Sequence, residues 1–79
     1  MGKTIHSLEH QKLRELLVAA RRKAGLTQHE VAERLGRPQS FVAKVEGGER
    51  RLDVVEFVDL VRALGADPVK LLRKLVAKT

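Results

Sequence analysis

Histidine and glutamate pairs are the first residues in this chain whose types and spacing could do chemistry. His6 and His10 stand four residues apart, but they fall near an expected frayed end and no carboxylate third ligand is evident. Glu30 and Glu33 fit an exposed helix face, where capping and solvation explain them better than acid–base work. No nucleophile–base pair, phosphate loop or nucleotide fingerprint occurs. We therefore expect no enzyme activity, no metal site and no cofactor.

Amide, hydroxyl and basic side chains between residues 28 and 51 fit nucleic acid better. Glutamine can bond adenine through two hydrogen bonds, serine can bond several bases, and lysine suits guanine or phosphate. Five basic and two acidic residues lie between Arg34 and Arg51. A glutamine at a helix N-terminus is also placed to meet a phosphate, together with the free backbone donors there. The side chains that we expect at a DNA interface are Gln28, Gln39, Ser40, Phe41, Lys44, Arg50 and Arg51.

Two of these expectations have alternatives. Phe41 is bulky for a base-reading position, so it either folds back onto the domain or contacts a thymine methyl group. Arg50 and Arg51 follow the third predicted helix and could hold the DNA backbone, although a run of charges is usually a solvated face.

Short helices must position these side chains. Apolar residues recur at helical spacing of three, four and seven in five segments, and Gly or Pro stands between the segments. The sequence therefore predicts an all-α domain of five helices, with a helix-turn-helix at helices 2 and 3, joined by a turn at Gly36-Arg37. The predicted helix starts are Ser7, Thr27 with Glu30 as a capping box, Pro38 at a first helical position, Asp53, and Asp67-Pro68.

Composition sets further bounds. The chain has 79 residues, a formal net charge of +6 and no cysteine. This length suits one domain, which we place at residues 7–79 after a flexible tail over residues 1–6. The basic balance favours a polyanionic partner. Without a signal peptide, a membrane span or cysteine, the chain is expected to be cytoplasmic.

The fifth predicted helix, residues 67–78, is unusually apolar. Val69, Leu72 and Val76 form one stripe, and Leu71 and Leu75 form an adjacent one. One stripe can pack on the domain, whereas the other needs a cover, for which a twofold partner is the commonest. A membrane surface is the rival, since the helix also carries basic residues. We expect a homodimer and no membrane contact, with an interface drawn from Leu71, Leu72, Leu75 and Val76.

The segment LTQHEVAERLGRPQSFVAKVEGGERR, residues 26–51, resembles the lambda-repressor-like (Xre/Cro) helix-turn-helix family, and the resemblance extends over about residues 10–66. It implies that Gln28 touches phosphate and braces Gln39. It also implies that Gln39, Ser40 and Lys44 read bases, and that Arg50 and Arg51 approach the DNA backbone. In the family a basic residue at the Arg21 position pairs with an acid at the Glu46 position. Leu52 departs from the pattern, which often has Pro there.

Two functions follow as hypotheses. The first is a transcriptional regulator, acting as a repressor, that binds double-stranded DNA as a homodimer on a palindromic operator. The second is a protein-interaction adaptor or antitoxin-like module with the same fold, whose partner is another protein. The apolar fifth helix and the bulky Phe41 motivate this second hypothesis.

Overall fold

Five α-helices make up the computed structural model, which describes residues 7–77. The helices are α1 (Leu8–Lys23), α2 (Gln28–Leu35), α3 (Gln39–Glu46), α4 (Val54–Ala63) and α5 (Pro68–Val76). No strand occurs in this range, and the all-α prediction is confirmed. The predicted tail over residues 1–6, the His6 part of the histidine pair and the last predicted residue of the fifth helix, Lys78, lie outside the described residues.

Side-chain caps begin the helices where the sequence places them. The Ser7 hydroxyl accepts a hydrogen bond from the backbone N–H of His10 at 3.1 Å. Thr27 and Glu30 form a reciprocal capping box, in which Thr27 Oγ1 accepts from Glu30 N and Glu30 Oε1 accepts from Thr27 N. These caps satisfy backbone donors that have no partner inside the helix. Asp53 forms a second box with Glu56.

Two local expectations are wrong. Pro38 is the N-cap of α3 and not its first helical residue, because its ψ of 151° keeps it extended while its carbonyl oxygen accepts from Phe41 N. His10 is 7% exposed and does not lie at a frayed end, because the Ser7 cap holds the first turn of α1 in place.

The core fills the space between all five helices. α2 packs most extensively on α3, and also on α4, while α1 contacts α3 and α5. Ala32 is 2% exposed, as expected for a small residue where α2 and α3 approach closely. The remaining buried apolar side chains are Leu17, Val31, Phe41, Val42, Val45, Leu60, Val61, Leu64 and Leu71.

Several basic side chains bind the carboxyl ends of neighbouring helices. Arg34 Nη1 donates to the Ala63 carbonyl oxygen at the end of α4, at 2.9 Å. Lys12 Nζ donates to the carbonyl oxygen of Ala77 just after α5, at 3.0 Å. Cations there offset the partial negative charge of unpaired carbonyl groups. Part of the positive charge therefore stabilises the fold.

Arg14 and Gly48 meet behind the end of α3. Arg14 Nη1 donates to the Glu46 carbonyl oxygen at 3.3 Å. Gly48 has a φ of +83°, and a Cβ atom at this position would lie 3.0 Å from Arg14 Cζ and Nε. Both the left-handed backbone and the close guanidinium favour glycine here.

Candidate nucleic-acid interface

The outer face of α3 carries the predicted base-reading side chains. Gln39 and Ser40 lie exposed in its first turn and Lys44 lies exposed one turn later. Ala43 is also exposed on this face, and the sequence analysis did not single it out. Its methyl group leaves room for close approach of another surface. The exposed arc of α3 is thus polar and narrow, with a small residue between its longer side chains.

Glu46 joins three helices behind this face. Its carboxylate accepts from Arg21 of α1 at 2.7 and 3.0 Å, and from the amide nitrogen of Gln28 of α2 at 2.9 Å. The Arg21 and Glu46 side chains are only 14% and 11% exposed. The hydrogen bond from Arg21 to Glu46 raises the pKa of Arg21, so the guanidinium group stays charged. The predicted Arg21–Glu46 link between the first and third helices is confirmed.

The hydrogen bond to Glu46 limits how the Gln28 side chain can bind a phosphate. Its Nε2 group is already bonded to Glu46, and its remaining amide oxygen is an acceptor, as are phosphate oxygens. The backbone N–H groups of Gln28 and His29 occupy the first positions of α2, where no intrahelical acceptor exists. A phosphate at this helix end would therefore bond the backbone, with the Gln28 side chain fixing α2 against α3.

Phe41 takes the first of its two alternatives and folds back onto the domain. Its side chain is 8% exposed and belongs to the core. The guanidinium groups of Arg37 and Arg50 cover its ring, with their Cζ atoms 4.3 and 4.8 Å from the ring centre. Its placement among the DNA-contacting residues is corrected, because α3 directs this position inward beside Val42.

Arg50 is tied down by its own chain. Its Nη1 and Nη2 atoms donate to the two carboxylate oxygens of Glu56 at 3.0 and 2.9 Å, and Nη1 also donates to the Arg51 carbonyl oxygen at 2.6 Å. Arg37 Nη2 reaches the same carboxylate at 3.1 Å. These charged donors, with the backbone N–H of Asp53, lower the pKa of Glu56 to about 2. We call Arg37, Phe41, Arg50 and Glu56 the arginine–glutamate cluster.

Lys44 and Arg51 differ from Arg50 in having no acidic partner among residues 7–77. Both side chains are exposed. They are the predicted cations whose charge the fold leaves uncompensated near α3. Sequence reasoning missed Arg37 and Glu56, although the Glu56 position in a capping box was visible in the sequence.

The predicted dimer residues on α5 divide between the side of the helix that faces the core and the side that faces solvent. Leu71 is 6% exposed and packs in the core of its own chain, so we correct its assignment to an interface. Leu75 is half-buried. Leu72 and Val76 are 46% and 67% exposed, and Val69, which the prediction left out, is 56% exposed. The exposed stripe Val69, Leu72 and Val76 is named here the α5 apolar face.

Residues 7–77 give little support for a metal site or for a membrane-spanning helix. No three His, Asp or Glu side chains come together there as metal ligands would. None of the helices in this range combines the length and apolarity that a membrane crossing requires.

Known proteins resemble this chain in sequence and in structure. A family model described as a helix-turn-helix domain matches residues 12–73. A solved structure of an XRE-family like protein from Pseudomonas syringae pv. tomato str. DC3000 is 60% identical, with a TM-score of 0.86 over 91% of this chain and 88% of that one. The HTH-type transcriptional regulator y4dJ of Sinorhizobium fredii is 41% identical over 51 residues, which are 65% of this chain and 66% of that regulator.

A more distant structure shares the fold alone. The restriction-modification controller protein C.Esp1396I, solved as a tetramer in complex with its natural 35 base-pair operator, is 18% identical. The match has a TM-score of 0.81 and covers 90% of this chain and 93% of that one.

Proposed function

This chain belongs to the XRE-type helix-turn-helix family of transcriptional regulators, and from that premise we propose that it binds double-stranded DNA as a homodimeric repressor. The observation that carries the proposal is the exposed arc of α3, where Gln39, Ser40 and Lys44 project while Glu46 fixes the helix from behind. An N-terminal arc of this kind is what a recognition helix presents to base edges in the major groove.

Side chains divide between reading bases and holding the DNA backbone. Gln39 and Ser40 select bases, with adenine the natural partner of Gln39. Lys44 serves guanine or phosphate, and Arg51 supplies a phosphate contact, since neither has an acidic partner in the described chain. The first backbone N–H groups of α2 hold a further phosphate. The operator complex of C.Esp1396I supports duplex DNA as the ligand of this fold.

The α5 apolar face supports the homodimer. Three apolar side chains at Val69, Leu72 and Val76 lie exposed along one flank of a helix whose Leu71 packs in the core. A twofold axis at this face would bury the stripe against itself. To bind a palindrome, such a dimer has to present its two α3 helices about 34 Å apart, one turn of DNA. A dimer bound over a promoter would repress it by keeping polymerase from the DNA that the dimer covers.

Two features of the sequence motivated the protein-interaction hypothesis, and one of them still supports it. Phe41 no longer supports it, since its ring is buried beneath two arginines. The α5 apolar face still does, because a different protein could cover the same stripe. Tight binding to such a partner, with only weak and sequence-independent DNA binding, would favour this function.

Selection of binding sites from random duplex DNA, at two salt concentrations, tests the proposed function. We expect enrichment of a palindrome with half-sites about one helical turn apart, and weaker binding at higher salt. A reporter gene placed behind the selected site then tests repression. Absence of any enriched sequence would contradict sequence-specific recognition by α3.

A further inference from the structure

The arginine–glutamate cluster places two positive charges and one negative charge beside the base-reading turn of α3. Arg37 lies in the turn before α3 and Arg50 in the loop after it, and both reach the ring of Phe41, the residue after Ser40. Glu56, from the first turn of α4, bonds both guanidinium groups. A residue outside α2 and α3 therefore controls two cations that border the proposed DNA surface.

We propose that Glu56 is a positioning residue that sets how much positive charge this surface presents to DNA, by holding Arg37 and Arg50 out of phosphate contact. The inference rests on the proposed function and deepens it. Glu56 neutralises one charge and fixes both arginines, so that Lys44 and Arg51 dominate the salt-dependent attraction near α3. In the variant without this carboxylate, the two guanidinium groups turn to DNA phosphates.

In the wild-type protein, the geometry favours Arg37 and Arg50 remaining bonded to Glu56. Arg50 bonds Glu56 through two parallel N–H groups, the strongest arrangement for a guanidinium and a carboxylate. Both guanidinium groups also lie over the ring of Phe41, and this cation–π contact holds them in addition. Glu56 is 15% exposed, whereas Arg37 and Arg50 are 41% and 38% exposed. The arginines thus remain within reach of a partner in solvent once the carboxylate charge is removed.

The test variant is Glu56→Gln, which keeps the size of the side chain and its place in the capping box, since glutamine also serves at this position. Asp59→Asn is the matched control, because it makes the same charge change on an exposed residue of the same helix. Binding of each variant to the selected operator and to unrelated duplex DNA is measured from 50 to 200 mM salt, and helicity and thermal unfolding confirm that each variant is folded.

We expect the slope of log K against log salt to steepen by up to about 1.8 in Glu56→Gln, for two added phosphate contacts. That change corresponds to roughly a tenfold greater loss of affinity over this salt range. The steepening should be equal on operator and unrelated DNA, because phosphate contacts carry no sequence information. Asp59→Asn should change the slope far less. Equal slopes in Glu56→Gln and Asp59→Asn would overturn the proposal.

The first half of a second comparison uses only variants that keep Glu56, so it does not depend on the folding of Glu56→Gln. Arg50→Gln in the wild-type background should leave the slope nearly unchanged, whereas Lys44→Gln should flatten it by about 0.9. In the Glu56→Gln background, Arg50→Gln should instead flatten the slope by about the same 0.9. A flattening by Arg50→Gln in the wild-type background would show that Arg50 already contacts phosphate, and would refute the role given to Glu56.

The wild-type slope separates this inference from the proposed function. Salt-independent or absent duplex binding by the wild-type protein would refute DNA binding itself. Normal salt-dependent operator binding, with an unchanged slope in Glu56→Gln, would refute only the positioning role of Glu56.

Discussion

Register on α3 decides the role of each of its side chains. Phe41, Val42 and Val45 turn into the core, while Gln39, Ser40 and Lys44 remain exposed on the opposite arc. Because consecutive residues of a helix are rotated by about 100°, one register defines both sets at once. A side chain proposed to read bases can therefore be changed here without leaving a cavity in the core.

Replacing Gln39 with alanine should cost about 1–3 kcal/mol on the selected operator and relax the preference at one base pair. The reason is that alanine removes a group able to make two hydrogen bonds to a base. Competition binding against operators altered at each position measures both effects. Gln11→Ala, which removes the same side chain from an exposed position on α1, is the control. An unchanged base preference at every position would contradict the role of Gln39.

Acid should weaken the fold through Glu56. Its folded-state pKa is lowered from about 4.5 to about 2, first by the Arg50 hydrogen bonds, so the unfolded chain takes up this proton at higher pH than the folded protein does. The stabilisation is therefore complete above about pH 5 and is lost as the pH falls toward 2. Glu30, whose pKa is lowered by its bond to the Thr27 backbone, acts in the same direction.

Urea denaturation of the wild-type protein and of Glu56→Gln between pH 6 and 2 measures this loss. The free energy of unfolding should fall less steeply with acid in the variant, because one of the titrating carboxylates is gone. Parallel pH profiles for the two proteins would contradict the assignment.

The sequence predicted the roles of some single residues and not the contacts of others. The caps at Ser7, Thr27 and Asp53 depend on near neighbours in the chain, so their spacing was sufficient to identify them. The partners of Arg50 and Phe41 depend on how α4 packs against the loop after α3, and periodicity does not carry that information. Its place after the third helix and the family resemblance indicated that Arg50 approaches the DNA backbone, whereas the structure gives it Glu56 as a partner.

At the scale of the helices, one partly buried carboxylate joins α1, α2 and α3. Glu46 lies at the end of α3, where it receives Arg21 from α1 and Gln28 from α2. The orientation of α3 relative to its neighbours therefore depends on polar contacts as well as on the apolar core. Polar contacts of this kind are directional and so favour one arrangement of the helices.

Glu46→Ala should destabilise the fold by roughly 2 kcal/mol, because it leaves the Arg21 guanidinium partly buried without its carboxylate. Urea denaturation measures the loss, and site selection should show weaker discrimination because α3 is less firmly held. Glu15→Ala, at an exposed carboxylate on α1, should change the unfolding free energy by no more than about 0.5 kcal/mol. Equal stabilities of the two variants would exclude a structural role for Glu46.

Element number and type followed from the sequence because capping residues or proline mark every helix start, and glycine follows the ends of α1 to α4. The start of α3 was misplaced by one residue, since Pro38 fits both the N-cap and the first helical position by type. Which apolar stripe of α5 faces the core could not be predicted from the sequence, because both stripes are equally apolar. Only the packing of α5 against α1 and α4 shows that Leu71 faces inward.

Across the whole molecule, positive charge is divided between folding and binding. Arg34 and Lys12 bond the ends of α4 and α5, and Arg37 and Arg50 bond Glu56. The 16 Lys and Arg residues therefore overstate the number of cations that are free to contact a polyanion. The salt dependence of DNA binding should reflect the smaller number.

Assembly is the property of the whole molecule that α5 should control. Leu72→Glu should convert the expected dimer into a folded monomer, because it puts a charge into a stripe that would be buried by a second copy. Sedimentation velocity at micromolar concentration measures the change, with Gln11→Glu as a control of equal charge at an exposed site. Binding to a palindrome should fall while binding to a single half-site persists. An unchanged sedimentation coefficient would place the interface elsewhere.

The contact between Arg14 and Gly48 couples the residue types that positions 14 and 48 can carry. While Arg14 is present, a side chain at residue 48 must displace a guanidinium that lies 3.0 Å away, in addition to adopting a left-handed backbone. Once residue 14 is shortened, only the backbone restriction remains, and asparagine tolerates that conformation better than most residues. A side chain at residue 48 should therefore be accommodated more easily when residue 14 is short than when it is arginine.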